Sequence, residues 1–187
     1  MKMKIGILGG SFNPAHEGHI KISLEAIDLL GLDKIYWLIT KQNPLKSNNE
    51  YLPFNLRIES ANKIIKANNI EVIDTENYTN SNYIIDNLRY LKSKNNKDHF
   101  IFLMGADSFI ALDKWKNYEN IIEEFPIAVF NRNGLEDKVI NGFIGNKYEK
   151  YRLNFDSRRL WYKKNQNWIF IENFDENVSS TEIRLKK

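Results

Sequence analysis

A chain of 187 residues, 42% hydrophobic and 27% charged, is long enough to bury a sizeable core and has the balance of a globular domain. The absence of cysteine excludes disulfides, thiolate metal sites and thiol nucleophiles, and a net charge of +3 is too small to argue for nucleic acid as a partner. No apolar run approaches the roughly 20 residues of a membrane span. The apolar stretch after Met1-Lys2-Met3-Lys4 is too short and glycine-broken for a signal-peptide core, so a cytoplasmic location is expected.

Short apolar runs alternate with helical patterns along the chain. Lys4 to Leu8 reads as a buried strand. Gly18 to Leu30 reads as a helix with Ile20, Leu24, Ile27 and the Leu29-Leu30 pair on one side, ended by Gly31. Lys34 to Thr40 is a second strand, rich in aromatic and β-branched residues, and a polar loop runs from Lys41 to about Pro53. Asn55 to Ala67 is helical, with Leu56, Ala61, Ile64 and Ile65 as the expected inner face. Ile70 to Ile73 is a strand, Asn82 to Lys94 a helix, and His99 to Met104 a nearly all-apolar strand expected at the centre of the sheet. Tyr118 to Glu124 is a short helix, Ile127 to Phe130 a strand and Trp168 to Glu172 a last strand. The polar, aromatic and basic stretch between Asn133 and Asn167 is not diagnostic. Near the end, a serine or threonine of Ser179-Ser180-Thr181 caps a short helix with Glu182 in its first turn. This β-α-β-α order predicts an α/β fold, a parallel sheet with helices on both faces.

The chemistry concentrates in Gly9-Gly10-Ser11-Phe12-Asn13-Pro14-Ala15-His16-Glu17-Gly18-His19. A strand, a glycine turn and a helix start let backbone approach a phosphate closely. The run lacks the glycine spacing of a dinucleotide-binding fingerprint and the Gly-Lys-Ser/Thr of a P-loop. His16 and His19 stand three apart, on one helix face, but no further histidine or cysteine lies nearby to complete the three or four ligands of a zinc site. No protein-held metal is therefore expected. A purely structural role, capping or packing, is the bland alternative. Phosphoryl or nucleotidyl transfer suits the pair better, because such reactions need positioned donors more than covalent catalysis.

His16-Glu17-Gly18-His19 resembles the His-x-Gly-His signature of the nucleotidyltransferase superfamily. Ser179-Ser180-Thr181-Glu182-Ile183-Arg184 is similar to its second signature, Ser-Ser-Thr-x-Ile-Arg. Within that superfamily the chain most resembles the bacterial nicotinate-nucleotide adenylyltransferases. Gly-Gly-Ser-Phe-Asn-Pro, the loop Lys41-Gln42-Asn43-Pro44-Leu45-Lys46 and Met104-Gly105-Ala106-Asp107-Ser108 followed by Trp115 carry the likeness. The resemblance implies a Rossmann-like, doubly wound parallel sheet of five to six strands, with residues 1–187 forming one nucleotidyltransferase domain. It implies adenylyl transfer from ATP to nicotinate mononucleotide, with Mg²⁺ carried by the ATP phosphates.

The same resemblance distributes roles by position. Gly9, Gly10 and Ser11 would approach the ATP phosphates, with His16 and His19 as donors and His19 as the main one in the transition state. Ser179, Ser180 and Arg184 would hold the outgoing phosphates, and Gly105 and Asp107 would meet the adenosine ribose. Lys46 would serve a phosphate, Trp115 would stack on the pyridine ring, and Tyr83 and Ile84 would lie at the helix start facing the nicotinate carboxylate. Asn13 stands where the family has aspartate and still offers a turn-forming acceptor. Ile84 and Asn87 replace two family threonines, which leaves nicotinate against nicotinamide open. Other small-molecule acceptors, a non-catalytic nucleotide sensor and a homo-oligomeric state are also left open.

Overall fold

The computed structural model describes residues 2–40, 52–132, 134–154, 165–172 and 174. Lys46, Ser179, Ser180 and Arg184, the loop that carries Lys46 and the expected C-terminal helix lie outside the described residues.

Among the described residues, seven strands form one all-parallel sheet in the order β3-β2-β1-β4-β5-β7-β6. They are β1 (Lys4–Gly10), β2 (Lys34–Ile39), β3 (Ile70–Ile73), β4 (His99–Gly105), β5 (Ile127–Phe130), β6 (Arg152–Leu153) and β7 (Trp168–Ile171). The strand beyond the five to six expected is β6, a two-residue edge strand pairing Arg152 with Trp168. Two residues inside a polar, aromatic stretch carry no period, so nothing in the sequence marked it.

The period-2 alternation of side chains builds two cores, one on each face of the sheet. Ile5 and Ile7, Phe100, Phe102 and Met104, Ile127 and Val129, and Trp168 and Phe170 point to one face. There they meet α4 (Ile84–Lys94), α5 (Ala106–Ile110), α6 (Tyr118–Glu124), α7 (Glu136–Asn141) and α8 (Phe143–Lys147). Leu8, Ile35, Trp37 and Ile39, Ile101 and Leu103, Ala128 and Phe130, and Ile169 and Ile171 point to the other. That face is covered by α1 (Glu17–Leu30) and α2 (Phe54–Ile64). Strands buried on both faces read as the continuous apolar runs seen in the sequence. One further short helix, α3 (Glu76–Thr79), comes after β3. No helix among the described residues is long and apolar enough to cross a membrane.

Two expected inner faces need correction. Leu24 is 47% exposed, and α1 instead buries Gly18, Ser23, Ala26 and Leu30 against the sheet. Small residues there admit close approach to the strands. Leu56 is 43% exposed, whereas its neighbour Arg57 is 1% exposed. Counting apolar residues assigned the turn to leucine, but the guanidinium has buried partners that the leucine lacks. Gly31 ends α1 as expected, in the left-handed conformation (φ 58°) that glycine adopts without a Cβ penalty. Helix α2 stops at Ile64 rather than Ala67, and α4 begins at Ile84 rather than Asn82.

Candidate active site

The strand order reverses between β1 and β4. From β1 the chain winds outward through β2 and β3, and from β4 it winds the other way. In open α/β sheets the crevice at the carboxyl ends of the strands beside such a reversal is where ligands bind. Gly9 and Gly10 are the last residues of β1, and Gly105 is the last of β4. Asp107 lies just beyond it, in α5. His16 and His19 come after β1 at the start of α1. The sheet therefore gathers the ends that carry two of the three expected sets of ATP-binding residues, the third, Ser179, Ser180 and Arg184, lying outside the described residues.

His16 is the N-cap of α1 and His19 its third residue. The Gly18 N–H donates to His16 Nδ1 (3.1 Å), and the His16 N–H donates to His19 Nδ1 (3.2 Å). Two histidines thus form the reciprocal capping box that serine and glutamate usually form. The structural alternative is realised, but it does not exclude the chemical one. An Nδ1 that accepts carries no proton, so each neutral ring keeps its proton on Nε2 as a donor.

His19, Phe12 and Trp37 form a ring stack, with His16 tilted against His19. His19 lies 4.4 Å from Phe12 and 3.9 Å from His16, centroid to centroid, and Phe12 lies 4.9 Å from Trp37. Phe12 is buried with φ at 46°, a left-handed conformation that costs a bulky residue about 1–2 kcal/mol. The stack and burial offset it. Trp37 Nε1–H donates to Ser23 Oγ (2.7 Å), and Ser23 Oγ–H donates to the His19 carbonyl (2.8 Å). A fully buried strand residue thereby fixes the turn bearing His19.

Burial of the ring lowers the His19 pKa to about 3, with the nearby His16 and then Arg132 adding to the fall. Between about pH 6.5 and 3 the unfolded chain therefore binds a proton that the native chain refuses. His19 costs the fold nothing above pH 6.5 and progressively destabilises it as pH falls through that window. In NMR titration of the ligand-free protein, the His19 ring signals are expected to stay at their neutral positions from pH 8 down to about 5. A midpoint near 6.5 would contradict this burial.

Arg132, just beyond β5, was not singled out in the sequence. It reaches Asp107 at 3.5 Å. Its position after a strand, at the ligand-binding edge of the sheet, was the available signal. Asp107 is over half exposed and stands in the first turn of α5, whose N-cap is Gly105.

Two of the expected acceptor residues, Ile84 and Trp115, lie close to the Phe102 ring. A Cβ on Gly9 would meet Phe102 Cε2 at 3.0 Å and Ile84 Cδ1 at 3.1 Å, so glycine there lets α4 close on the sheet. Phe102 in turn meets the half-buried Trp115 ring edge-on at 6.4 Å. Ile84 and Trp115 are thus bridged by one aromatic ring. Tyr83, the N-cap of α4, is 39% exposed. Asn87, fully buried, binds the approach to α4 with all of its polar atoms. Its Oδ1 accepts from Thr75 (2.6 Å) and Thr79 (2.9 Å), and its Nδ2 donates to the carbonyls of Ser81 (3.1 Å) and Tyr83 (2.9 Å). The substituted position is a structural hub, which the sequence showed only as a departure. Asn13 Oδ1 accepts from the Leu52 N–H (2.9 Å), so the acceptor expected to form a turn bonds a segment distant in sequence.

Comparison with known proteins places this geometry in a family. The cytidylyltransferase-like family matches residues 7–186. A probable nicotinate-nucleotide adenylyltransferase of Rhizobium etli (strain CIAT 652) is 37% identical over 183 residues, covering 97% of this chain and 95% of the relative. A second, from Agrobacterium fabrum, is 34% identical over 97% of this chain and 98% of its own length. The solved structure of Plasmodium falciparum nicotinic acid mononucleotide adenylyltransferase complexed with NaAD shares the fold. Its TM-score is 0.68 at 20% identity, over 98% of this chain and 83% of that one. The chain belongs to the cytidylyltransferase-like family and, by identity over nearly its full length, to the nicotinate-nucleotide adenylyltransferases within it.

Proposed function

We propose that this protein transfers AMP from ATP to nicotinate mononucleotide, giving deamido-NAD and pyrophosphate, a step of NAD biosynthesis. The observation that carries the reading is the histidine pair, locked by Nδ1 at the N-terminus of α1 beside the β1–β4 reversal. The relatives' shared name supports the acceptor. Residues 1–187 are taken as one nucleotidyltransferase unit, supported by the family match over residues 7–186.

In this reaction an oxygen of the mononucleotide phosphate, already anionic, forms a bond to the α-phosphorus of ATP. The bond from that phosphorus to the bridging oxygen breaks, and pyrophosphate leaves with the electron pair. No proton need move, so the protein's task is to position reactants and stabilise growing charge. Gly9, Gly10 and Ser11 would admit the phosphates, and the Nε2–H groups of His16 and His19 would donate to their oxygens. A neutral His19 keeps its donor without charge repulsion from Arg132. Ser179, Ser180 and Arg184 complete the phosphate clamp in this reading, and Gly105 with Asp107 would hold the ribose. ATP would enter as its magnesium complex. Among the described residues no three His, Cys, Asp or Glu side chains are gathered for a metal. Magnesium commonly keeps several waters and binds through substrate phosphates.

Tyr83 and Ile84 would present the start of α4 to the acceptor, with Trp115 stacked on the pyridine and Lys46 on a phosphate. Backbone N–H groups and the dipole at a helix start favour a carboxylate over a neutral carboxamide. Asn87 holds that start in place without the family's threonines. Pyrophosphate release is expected to be most efficient, by kcat/KM, with nicotinate mononucleotide among acceptors that include nicotinamide mononucleotide and phosphopantetheine. A preference for another acceptor overturns the substrate. Nucleotide binding without pyrophosphate from any acceptor overturns the enzyme.

A further inference from the structure

We infer that Arg57 is the positioning residue of this site, joining the histidine loop to both ends of the segment after β2. Arg57 sits in α2 with its side chain fully buried, where a charged group persists only if its donors are used. Nη1 donates to the carbonyls of Ser11 (2.5 Å) and Thr40 (2.7 Å), and Nε donates to the carbonyl of Leu52 (3.1 Å). The guanidinium also lies over the Phe54 ring, 5.3 Å from its centroid.

These carbonyls are far apart in sequence. Ser11 opens the loop that carries Phe12, His16 and His19. Thr40 and Leu52 bracket residues 41–51. The same junction is tied twice more, by the Thr40 N–H to the Gly10 carbonyl (3.0 Å) and by the Leu52 N–H to Asn13 Oδ1 (2.9 Å). A planar fork can serve separated carbonyls at fixed angles, which the single ammonium of lysine cannot do. The bond to the Ser11 carbonyl ties Arg57 to the turn that leads to the two histidines. Arg57 acts on them through the Ser11 peptide, and so on the direction in which His16 and His19 face.

The proposal rests on the adenylyl-transfer reading only for its activity assay. Arg57→Lys keeps the charge and most of the volume but loses the fork. Misplacing a catalytic group by about 1 Å can cost 10²-fold. R57K is therefore expected to fold cooperatively, to lose roughly 10²-fold in kcat with the KM for ATP within a few-fold, and to shift the His16 and His19 ring signals of the ligand-free protein. In Arg57→Ala, added guanidinium ion is expected to restore part of the lost kcat. R57K that folds with wild-type kcat and unmoved histidine signals overturns the inference. So does R57K that fails to fold, since Arg57 then serves folding alone. Because the ring signals are read without substrate, a wild-type chain that releases no pyrophosphate sinks the proposed reaction and leaves this measurement standing.

Discussion

Replacing His19 by alanine is expected to lower kcat by about 10²–10³ while the KM for each substrate stays within a few-fold. A donor aimed at charge that develops only in the transition state contributes little to ground-state binding. The loss therefore belongs to kcat. His19 suits this task because its ring is fixed before substrate arrives. Nδ1 is occupied by the His16 N–H, one face lies on Phe12, and its carbonyl is held by Ser23. Alanine also removes a cap from α1, worth about 0.5–2 kcal/mol of stability. His19→Asn separates the two effects, because a carboxamide oxygen can still accept from the His16 N–H while the Nε2 donor is gone. If capping is all that His19 does, H19N regains both stability and kcat. If Nε2–H is the transition-state donor, H19N regains stability and stays slow. A near-normal kcat in His19→Ala would refute the role outright.

The sheet was legible because its strands are buried on both faces, so burial shows as unbroken apolar runs at β1, β2, β4, β5 and β7. The site's location was legible from the glycines, the proline and the two histidines packed between β1 and α1. What escaped lies where polarity and burial part company. Arg57 and Asn87 are among the most buried polar residues: Arg57 satisfies its side chain on backbone carbonyls of other elements, and Asn87 on the carbonyls and hydroxyls of the segment just before α4. Apolar periodicity scores such residues as surface and hands the inner face to a neighbour, as it did for Leu56. The short helices α3, α5, α7 and α8, of four to six residues, span too few turns to show a 3.6-residue period. That His16 and His19 stand at a helix start was readable, but not their tautomer, which is set by backbone N–H groups of the turn itself.

Trp37 supports this site from behind, and Trp37→Ala is expected to destabilise the protein by about 3–5 kcal/mol. That is a large part of the roughly 5–15 kcal/mol typical of a folded domain. The residue is fully buried in β2, paired with Leu8 of β1, and its ring packs on Phe12. Truncation would leave a cavity beneath a bulky residue already held at positive φ, so Phe12 would lose the contacts that offset its backbone cost. Trp37→Phe fills most of that space and removes the indole N–H. Ser23 Oγ would then still donate to the His19 carbonyl, so its loss should be nearer to the net value of one hydrogen bond, about 1 kcal/mol, plus a smaller cavity term. Urea unfolding of W37F, S23A and the double variant measures the link directly. Direct contact predicts a coupling energy of at least about 0.5 kcal/mol. Zero coupling would mean that Trp37 fixes the His19 turn through ring packing on Phe12 and His19. A kcat that falls in W37F with folding intact would tie the buried indole to the chemistry two hydrogen bonds away.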